Sequence, residues 1–267
     1  MTYDHKTDAA KIKNNLDCVL IGSEIVFLPE IDSTNDLVKG YLENNAEEGL
    51  VVIAETQTAG KGRFGRTWHS PAEAGIYLSV LLKPRLAPDH LPRLTLMAGV
   101  AAVCALNQFS RRRATLKWPN DILIRGKKVC GLLCEHARSS EGTTGVVIGV
   151  GINVNHLPGQ FPEELKATAT SLLIENDAPV ERVPLIRSFL NHLDQEYQTY
   201  LMDGGQEMLR KWGDNTDLFE KQVTVTRGSD ITCGTALRLD ESGRLVVRTE
   251  NGNEESFDSG EVTLRTD

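Results

Sequence analysis

The spacing of hydrophobic and polar positions divides this chain into two parts. Up to about residue 218, short apolar runs predict strands and longer runs with helical periodicity predict helices, which together favour an α+β arrangement. The predicted strands are residues 25–28, 50–54, 76–82, 114–118, 121–124, 128–135 and 144–150. The predicted helices are residues 91–109, 183–200 and 207–212, one that starts with Ser33 as its cap and runs to about residue 44, and part of the leading segment 1–22.

The pattern changes near residue 221, where helical periodicity gives way to short strands separated by turn residues. Strands are predicted at residues 223–226, 232–239, 245–248 and 254–257, with turns at 240–243 and 251–253. This spacing is typical of a small β-barrel. We therefore expect two domains, residues 1–218 and residues 219–267.

A long loop from residue 55 to residue 74 lacks apolar periodicity, and a loop of this length in a compact domain is usually functional or disordered. Within it, residues 60–66 alternate three glycines with three cations, and no acid lies between Glu55 and Glu73. Glycine allows close backbone approach and arginine offers a planar fork for phosphate or carboxylate, so this segment predicts a flexible anion clamp. A solvated surface loop is the alternative. The glycine spacing also matches a dinucleotide fingerprint, but no helix is predicted after it.

A second candidate site lies at the end of a predicted strand, where Lys117 precedes a turn at Pro119. The lysine could neutralise a carboxylate or phosphate in a cleft. Asn120 and Asp121 could orient a ligand or hold a magnesium ion. The alternative is an ordinary turn in which Asn and Asp are the turn formers.

Two further predicted strands carry candidate contacts, one at its start and one at its end. Strict alternation along the strand places Lys128 and Cys130 on one face, and Val129 and Gly131 on the other, so Lys128 either points at a ligand or extends to water. Residues 149–153 contain two glycines that allow close approach, and Asn153 could donate to a ring nitrogen, although a plain turn fits the pattern too. Trp68 either stacks on a ligand ring or caps the core.

The bulk composition excludes several classes of function. The 267 residues carry a net charge of −8, which argues against a general nucleic-acid binder and makes the cationic loop stand out. The five cysteines are scattered through apolar runs, which indicates reduced thiols and a cytoplasmic protein, and the Cys130–Cys134 spacing does not predict a zinc site. The start of the chain is polar, and the longest apolar stretch, residues 94–106, is too short for a bilayer. Triad, metalloprotease and Walker motifs are absent from the sequence.

Taken together, these motifs resemble the biotin–protein ligases, also called biotin–[acetyl-CoA-carboxylase] ligases. The resemblance runs from about residue 25 to residue 265, and five ordered motifs with sensible spacing are far more specific than any one of them alone. The matching segments are residues 33–35, 54–57 leading into 60–66 and Trp68, 117–121, 128–135 and 149–153, with residues 260–265 at the C-terminus.

The resemblance implies both a fold and a reaction. The fold would be a mixed, largely antiparallel sheet flanked by helices, with a small C-terminal SH3-like β-barrel. In the reaction, the biotin carboxylate attacks the α-phosphate of ATP, with Mg²⁺, to give biotinyl-5′-AMP and pyrophosphate. A lysine on a biotin carboxyl carrier domain of acetyl-CoA carboxylase, or of a related carboxylase, then takes the biotinyl group and releases AMP.

The resemblance also implies residue roles. Lys117 would be the main catalytic cation, together with Arg63, and the metal ligands stay unassigned. The biotin contacts would be Ser33, Thr34, Asn35, Gln57, Lys61, Gly62, Arg63 and Lys128. The nucleotide contacts would be Arg63, Trp68, Lys117, Asn120 and Asn153.

Two departures from the family pattern bear on these expectations. Lys61 stands where the family commonly has arginine, so the charge is kept but the bidentate fork is lost. The chain begins about 20 residues before the first predicted strand, which leaves no room for the N-terminal helix-turn-helix domain of family members that repress transcription. We therefore expect no specific DNA binding and no membrane association, and leave a homodimer open.

Two alternatives remain from the sequence. A lipoate or octanoate protein ligase or transferase would share a similar fold, and fold kinship alone does not decide between them. A non-catalytic, repressor-type module would bind biotin without releasing pyrophosphate.

Overall fold

The computed structural model describes residues 5–84 and 91–264 of the chain. Its helices are α1 (His5–Lys13), α2 (Thr34–Glu43), α3 (Leu91–Phe109), α4 (Leu172–Asn176), α5 (Arg182–Asp203) and α6 (Gln206–Asp214). The strands of its first part are β1 (Ile25–Ile31), β2 (Val51–Gln57), β3 (Gly75–Leu82), β4 (Ala114–Lys117), β5 (Asp121–Ile124), β6 (Lys127–Arg138) and β7 (Thr144–Asn153). The strands that follow α6 are β8 (Gln222–Arg227), β9 (Asp230–Leu239), β10 (Leu245–Thr249), β11 (Glu254–Phe257) and β12 (Glu261–Leu264).

The first seven strands form one sheet in the order β1-β2-β3-β7-β6-β5-β4. Strand β1 runs parallel to β2, and the other five ladders are antiparallel. This confirms the mixed, largely antiparallel sheet. Strand β1 extends three residues beyond its predicted end and includes Pro29. An edge strand tolerates proline because its free side needs no backbone donor.

Helices cover both faces of this sheet, and the alternation of side chains along β2 shows how. Val51 and Ile53 point into the larger core, which α3 and α5 complete, whereas Val52 points into a smaller core with Val38 and Leu42 of α2. Strand β3 is buried along its whole length because helices cover both faces of the sheet. The predicted helix 91–109 and strand 121–124 agree with α3 and β5 residue for residue.

The last five strands form an antiparallel sheet in the order β11-β10-β9-β8-β12. Its apolar residues, among them Val223 and Val247, belong to the same core as the first sheet. Trp118, just after β4, donates from Nε1 to the carbonyl of Gly243 at 3.2 Å. The second sheet is therefore packed directly against the turn that carries the Lys117 motif.

Several sequence-based expectations need correction. Ser33 lies at the N-cap of α2, but its side chain makes no capping hydrogen bond. The first N–H of the helix, that of Thr34, donates to Gln57 Oε1 at 2.9 Å. Strand β12 and helix α4 were not predicted. Residues 1–4 of the leading segment and residue 265 of the C-terminal motif lie outside the described residues.

The predicted alternation at Lys128 is wrong. The register between β5 and β6 shifts at this point, with Leu123 opposite Lys128 and Ile122 opposite Cys130, so that Val129 is the extra residue of a β-bulge. Val129 and Cys130 are both buried in the core. The bulge turns Lys128 to the same face as Gly131, where a Cβ would lie 2.9 Å from Lys128 Nζ.

None of the described helices combines the length and the apolar character needed to cross a membrane.

Candidate active site

Two adjoining cavities, of about 50 Å³ and about 400 Å³, lie where β2, β6 and β7 meet the glycine-rich loop. The smaller cavity is lined by all eight residues that the resemblance assigns to biotin, namely Ser33, Thr34, Asn35, Gln57, Lys61, Gly62, Arg63 and Lys128. The larger cavity is lined by all five residues assigned to the nucleotide, namely Arg63, Trp68, Lys117, Asn120 and Asn153. The fold thus brings the predicted residues together in two groups, while their roles stay predictions.

A buried polar network forms the floor of the smaller cavity. Thr34 and Asn35 open helix α2 and are almost fully buried. Asn35 Nδ2 donates to Glu135 Oε2 at 2.7 Å and to the Leu133 carbonyl at 3.2 Å. The Ser79 hydroxyl, on β3 behind the floor, donates to Asn35 Oδ1 at 2.5 Å. Because buried polar groups are costly unless they are paired, this network holds its members in fixed orientations.

Gln57 connects that floor to the glycine-rich loop. Its Oε1 accepts from the Thr34 backbone, and its Nε2 donates to Ser70 Oγ at 3.1 Å. Ser70 in turn donates to the Trp68 carbonyl at 3.0 Å. The end of β2 and the far end of the loop are therefore held by one chain of hydrogen bonds.

Trp68 forms a wall that both cavities share. Gly131 and Gly151 face each other across β6 and β7, and the indole lies against both. A Cβ at Gly151 would lie 2.2 Å from Trp68 Cε2, and one at Gly131 would lie 2.8 Å from Trp68 Cζ3. Only glycine allows this contact. The indole Nε1 is buried and has no hydrogen-bond partner among the described residues, so a bound ligand could accept from it.

The glycine-rich loop folds back on itself as a short hairpin. The Gly62 N–H donates to the Arg66 carbonyl at 2.7 Å, and Lys61 pairs with Thr67 in an isolated β-bridge. At its tip, Phe64 and Gly65 both adopt left-handed backbone angles, with φ of 57° and 73°. This conformation is uncommon for a bulky residue such as Phe64, whose side chain is 66% exposed.

Arg63, like Lys128, is a cation that lines both cavities, and the turn after β4 positions Arg63. Asn120 Oδ1 accepts from Arg63 Nη1 at 3.1 Å, while Asn120 Nδ2 donates to the Leu132 carbonyl at 2.7 Å, which fixes the orientation of the amide. Burial lowers the pKa of the Arg63 guanidinium, and the nearby Asp121 and Glu261 carboxylates oppose that shift. A partly desolvated guanidinium interacts more strongly with an anion than one in water.

The other cations differ in how they are held. Lys128 Nζ pairs with Asp121 at 2.6 Å and lies 5.2 Å from the Trp68 ring centroid. Lys61 pairs with Asp36 at 2.6 Å, and this hydrogen bond raises the pKa of the lysine. Arg66 pairs with Glu261 of β12. Lys117, in contrast, lines the larger cavity with no ion pair among the described residues.

Asn153 is placed beside the nucleotide cavity, but its amide nitrogen is already engaged. Its Nδ2 donates to the Thr170 carbonyl at 3.0 Å and more weakly to the Lys128 carbonyl at 3.5 Å. In the backbone, the Lys128 N–H donates to the Thr168 carbonyl at 2.8 Å, and the Thr170 N–H donates to the Lys128 carbonyl at 2.9 Å. In this structure Asn153 therefore holds the segment 158–170 against β6, rather than presenting a free donor to a ring nitrogen.

The sequence reasoning missed several residues that shape the site. Ser79 lies behind the floor, and the only signal for it was a single polar residue in an otherwise apolar strand. Phe161 and Leu165 line the larger cavity from short turns that carry no motif. Residues 260–263 close the same cavity from β12 and the turn before it, whereas the sequence left the role of the C-terminal β module open between the carrier and the nucleotide.

Comparisons with known proteins agree with this geometry. Residues 27–153 match the model of the Biotin/lipoate A/B protein ligase family, and residues 218–265 match the model of the Biotin protein ligase C terminal domain. The chain is 34% identical over 252 residues to the Bifunctional ligase/repressor BirA of Bacillus subtilis (strain 168), covering 92% of this chain and 76% of that protein.

Two further similarities lie within the same group of proteins. The Biotin--[acetyl-CoA-carboxylase] ligase of Mycobacterium tuberculosis is 35% identical over 221 residues, which cover 80% of this chain and 79% of that protein. The biotin protein ligase from Aquifex aeolicus, solved in complex with biotin and ATP, superposes with a TM-score of 0.80 at 30% identity, covering 92% of this chain and 100% of that one. The chain therefore belongs to the biotin protein ligases of the Biotin/lipoate A/B protein ligase family.

Proposed function

We propose that this chain activates biotin with ATP to form biotinyl-5′-AMP and then transfers biotin to a lysine of a biotin carboxyl carrier domain. The observation that carries the proposal is the pair of cavities that share Arg63 and Trp68. One cavity has a buried polar floor, the other has a volume suited to a nucleotide, and a guanidinium lies at their junction. A carboxylate held in the first would lie next to the α-phosphate of a nucleotide held in the second.

In the first step, a carboxylate oxygen forms a bond to the α-phosphorus of ATP and pyrophosphate leaves. Two anions must approach each other, and negative charge spreads over the oxygens of the phosphorus at the transition state. Arg63 would offset both charges from the junction, and Lys117, which has no ion pair within the described part of the chain, would do so from the larger cavity. Cations held in a partly desolvated site are stronger in this role than cations in water.

The smaller cavity must widen when biotin binds. Its volume of about 50 Å³ is far below the few hundred Å³ typical of small-molecule sites. The short hairpin of residues 60–66 is the part of its wall that we expect to move, and its contacts with Asp36, Asn120 and Glu261 would then have to shift or break. Closing again over the product would keep water from the mixed anhydride.

Mg²⁺ would enter this site with the nucleotide. The described residues contain no cluster of three His, Cys, Asp or Glu side chains that could hold a metal ion by themselves. Magnesium in ATP-dependent enzymes is usually held by phosphate oxygens, waters and one or two carboxylates. Asp121 and Glu261 line the larger cavity and fit that donor set. Bound there, the ion would neutralise phosphate charge.

In the second step, the amine of an acceptor lysine attacks the biotinyl carbonyl, and AMP leaves with the bonding electron pair. The partner proposed is a biotin carboxyl carrier domain, since the Mycobacterium tuberculosis relative is named for acetyl-CoA carboxylase. The neutral amine must reach the junction of the two cavities. Phe64 is exposed at the edge of that junction and would meet the incoming domain.

The polar floor favours biotin over lipoate or octanoate. A lipoyl or octanoyl chain has no N–H or carbonyl at its far end, so it would leave the hydroxyl oxygen of Thr34, which is buried at the floor of the cavity, without a ligand donor. Unpaired buried polar groups cost about 1–3 kcal/mol each. The ureido ring of biotin supplies both N–H donors and a carbonyl acceptor.

The direct test is to incubate the purified chain with biotin, α-labelled ATP and Mg²⁺, and to follow the acyl-adenylate by chromatography. We expect label in biotinyl-5′-AMP, release of pyrophosphate, and biotinylation of an added carrier domain. Lipoate in place of biotin should give no labelled product. Lys117→Met should slow adenylate formation by about 100-fold or more while leaving biotin binding intact. Binding of biotin without pyrophosphate release would contradict a ligase and favour a non-catalytic module.

A further inference from the structure

We infer that Ser79 is a positioning residue that sets the hydrogen-bond direction of Thr34, and that the site thereby selects ligands with a ring N–H at that position. The inference rests on the proposed function, because it concerns the way biotin is recognised. Ser79 lies on β3, is completely buried, and does not line the cavity itself. It can act only through its two neighbours, Thr34 and Asn35.

The orientation of the Asn35 amide is fixed by groups that can only accept. Asn35 Nδ2 lies 3.2 Å from the Leu133 carbonyl and 2.7 Å from a Glu135 carboxylate oxygen, so both of its protons are used. Lys39 Nζ donates to the other Glu135 oxygen at 2.7 Å, so this carboxylate accepts a hydrogen bond on each of its two oxygens. Asn35 Oδ1 therefore faces Ser79 and can only accept from it.

That constraint uses the one proton that Ser79 has. Ser79 Oγ lies 2.5 Å from Asn35 Oδ1 and must donate there. Ser79 Oγ also lies 2.7 Å from Thr34 Oγ1, and on distance alone either hydroxyl could donate in that pair. With the Ser79 proton committed, only Thr34 can donate. The hydroxyl of Thr34 then points its proton away from the cavity.

Gln57 offers the Thr34 hydroxyl a second acceptor without changing this outcome. Its Oε1 accepts from the Thr34 N–H at 2.9 Å and lies 3.1 Å from the Thr34 hydroxyl, against 2.7 Å for Ser79 Oγ, so the Thr34 proton goes to one of these two oxygens and not to the ligand. Thr34 therefore presents only lone pairs to the ligand. A ureido N–H satisfies those lone pairs, whereas a ring oxygen at the same place would face them with lone pairs of its own. Unsatisfied buried groups of this kind cost about 1–3 kcal/mol, or about 5- to 150-fold in binding.

The test compares biotin with its cyclic carbamate analogue, in which a ring oxygen replaces one ureido N–H. Both regioisomers are used, because the poses of the two nitrogens differ. For each enzyme form, kcat and KM are measured for the acid in pyrophosphate exchange. We expect the unaltered chain to prefer biotin over one regioisomer by about 100-fold in kcat/KM.

Ser79→Ala frees the Thr34 hydroxyl to rotate and to donate to a ring oxygen. We expect the preference for biotin to fall by about tenfold, mainly through KM, with kcat for bound biotin changed by less than about threefold. Thr34→Val removes the hydroxyl and keeps the shape, so Ser79→Ala should have no further effect on the preference in that background. Ser139→Ala, which removes another buried hydroxyl in the turn between β6 and β7, should leave the preference unchanged.

The outcomes separate the two claims. If the unaltered chain forms no adenylate from biotin, the proposed function fails. If it is active but Ser79→Ala keeps the same preference, with kcat and KM either unchanged or altered by the same factors for both acids, Ser79 has a structural role only. The inference is then overturned. Should Ser79→Ala fold poorly by circular dichroism, Ser79→Cys gives a second test. Its weak S–H donor should lower the preference by a smaller factor, and an unchanged preference would again overturn the inference.

Discussion

At the scale of single residues, the site depends on side chains whose partners are already fixed before a ligand arrives. Asn120 illustrates this, because its amide nitrogen is bound to the Leu132 carbonyl and its oxygen is therefore available for Arg63. Arg63 is in turn partly buried at the junction of the two cavities. Preorganised charges of this kind need no rearrangement when charge develops on the substrate.

For Arg63 we predict a selective effect on the activated intermediate. In Arg63→Ala, release of biotinyl-5′-AMP should become about 10- to 100-fold faster, whereas biotin affinity should weaken by less than about threefold, because the lost guanidinium acts mainly on the phosphate. Rapid-filtration measurement of adenylate release and titration calorimetry with biotin would check this. Arg112→Ala, in an exposed loop, is the matched control. If retention of the adenylate and affinity for biotin weakened by the same factor, a role of Arg63 on the phosphate would be contradicted.

At the scale of elements, the two facing glycines of β6 and β7 create a flat surface that no other residue type would allow. Gly131 and Gly151 are cross-strand partners, and Trp68 lies against both. The bulge at Val129 then turns Lys128 onto the same surface. Strand geometry therefore places an indole and an ammonium side by side, although they are 60 residues apart in sequence.

We predict that Gly151→Ala disrupts the site while leaving the fold intact. The added Cβ would lie 2.2 Å from Trp68 Cε2, so the indole must move out of its place between the two cavities. Because sub-van-der-Waals contact cannot persist, kcat/KM should fall by about 100-fold. Pyrophosphate exchange would measure this, with circular dichroism to monitor folding. Gly40→Ala, where a Cβ meets nothing within 4 Å, should retain activity; similar losses in both variants would refute the argument.

The segment after β7 contains a buried histidine that should make stability depend on pH. His156 is completely buried and stacks on Phe161 with ring centroids 5.0 Å apart. Burial, with a smaller contribution from His69, lowers the pKa of His156 from 6.5 to about 4. Between these two values the unfolded chain binds more protons than the folded chain, so the free energy of unfolding should fall as the pH drops from 6.5 towards 4.

The predicted size of this effect is up to about 3 kcal/mol across that pH range. His156→Phe keeps the stacked ring and removes the titrating group, so the dependence on pH in that range should become flatter. Urea unfolding at a series of pH values would measure it. The exposed His136→Phe is the matched control and should keep the original slope. An unchanged slope in His156→Phe would contradict the assignment.

At the scale of the whole molecule, the C-terminal sheet completes the nucleotide cavity from the far end of the chain. Residues 260–263 line the larger cavity, and Glu261 pairs with Arg66 of the glycine-rich loop. We propose a domain boundary near residue 218, where the match to the C-terminal domain model begins. The apolar residues on the two sides of that boundary nevertheless belong to one continuous core.

This shared core predicts a single cooperative unfolding transition. Because residues such as Val223 and Val247 pack into the same cluster as the main sheet, neither part can unfold without exposing apolar surface of the other. Differential scanning calorimetry should give one peak whose calorimetric and van't Hoff enthalpies agree. Trp118→Phe, which removes the bond to Gly243, should lower the free energy of unfolding by about 1–2 kcal/mol without splitting the peak. Two resolved peaks would contradict the shared core.

The sequence predicted most elements because their signals are local. Helix 91–109 and strand 121–124 have clear periodicity and clear ends, and the structure agrees with both. The equally short strand β12 was missed because it is defined by its pairing with β8, which is distant in sequence and not joined to it by a hairpin turn. At Lys128 the simple alternation was wrong, because a β-bulge depends on the partner strand and not on the sequence of the bulged strand alone.

The amino-acid sequence by itself determined the composition of the site: a glycine-rich cationic loop, a lysine before a proline turn, and polar residues at the start of a helix. It did so because these residue types have few structural uses in that order and spacing. The tertiary structure alone decided which groups meet. The donor direction at Ser79 and Thr34, the contact of Trp68 with two glycines, and the closing of the cavity by β12 all join residues distant in sequence. Such contacts follow from the pairing of strands, which no local pattern specifies.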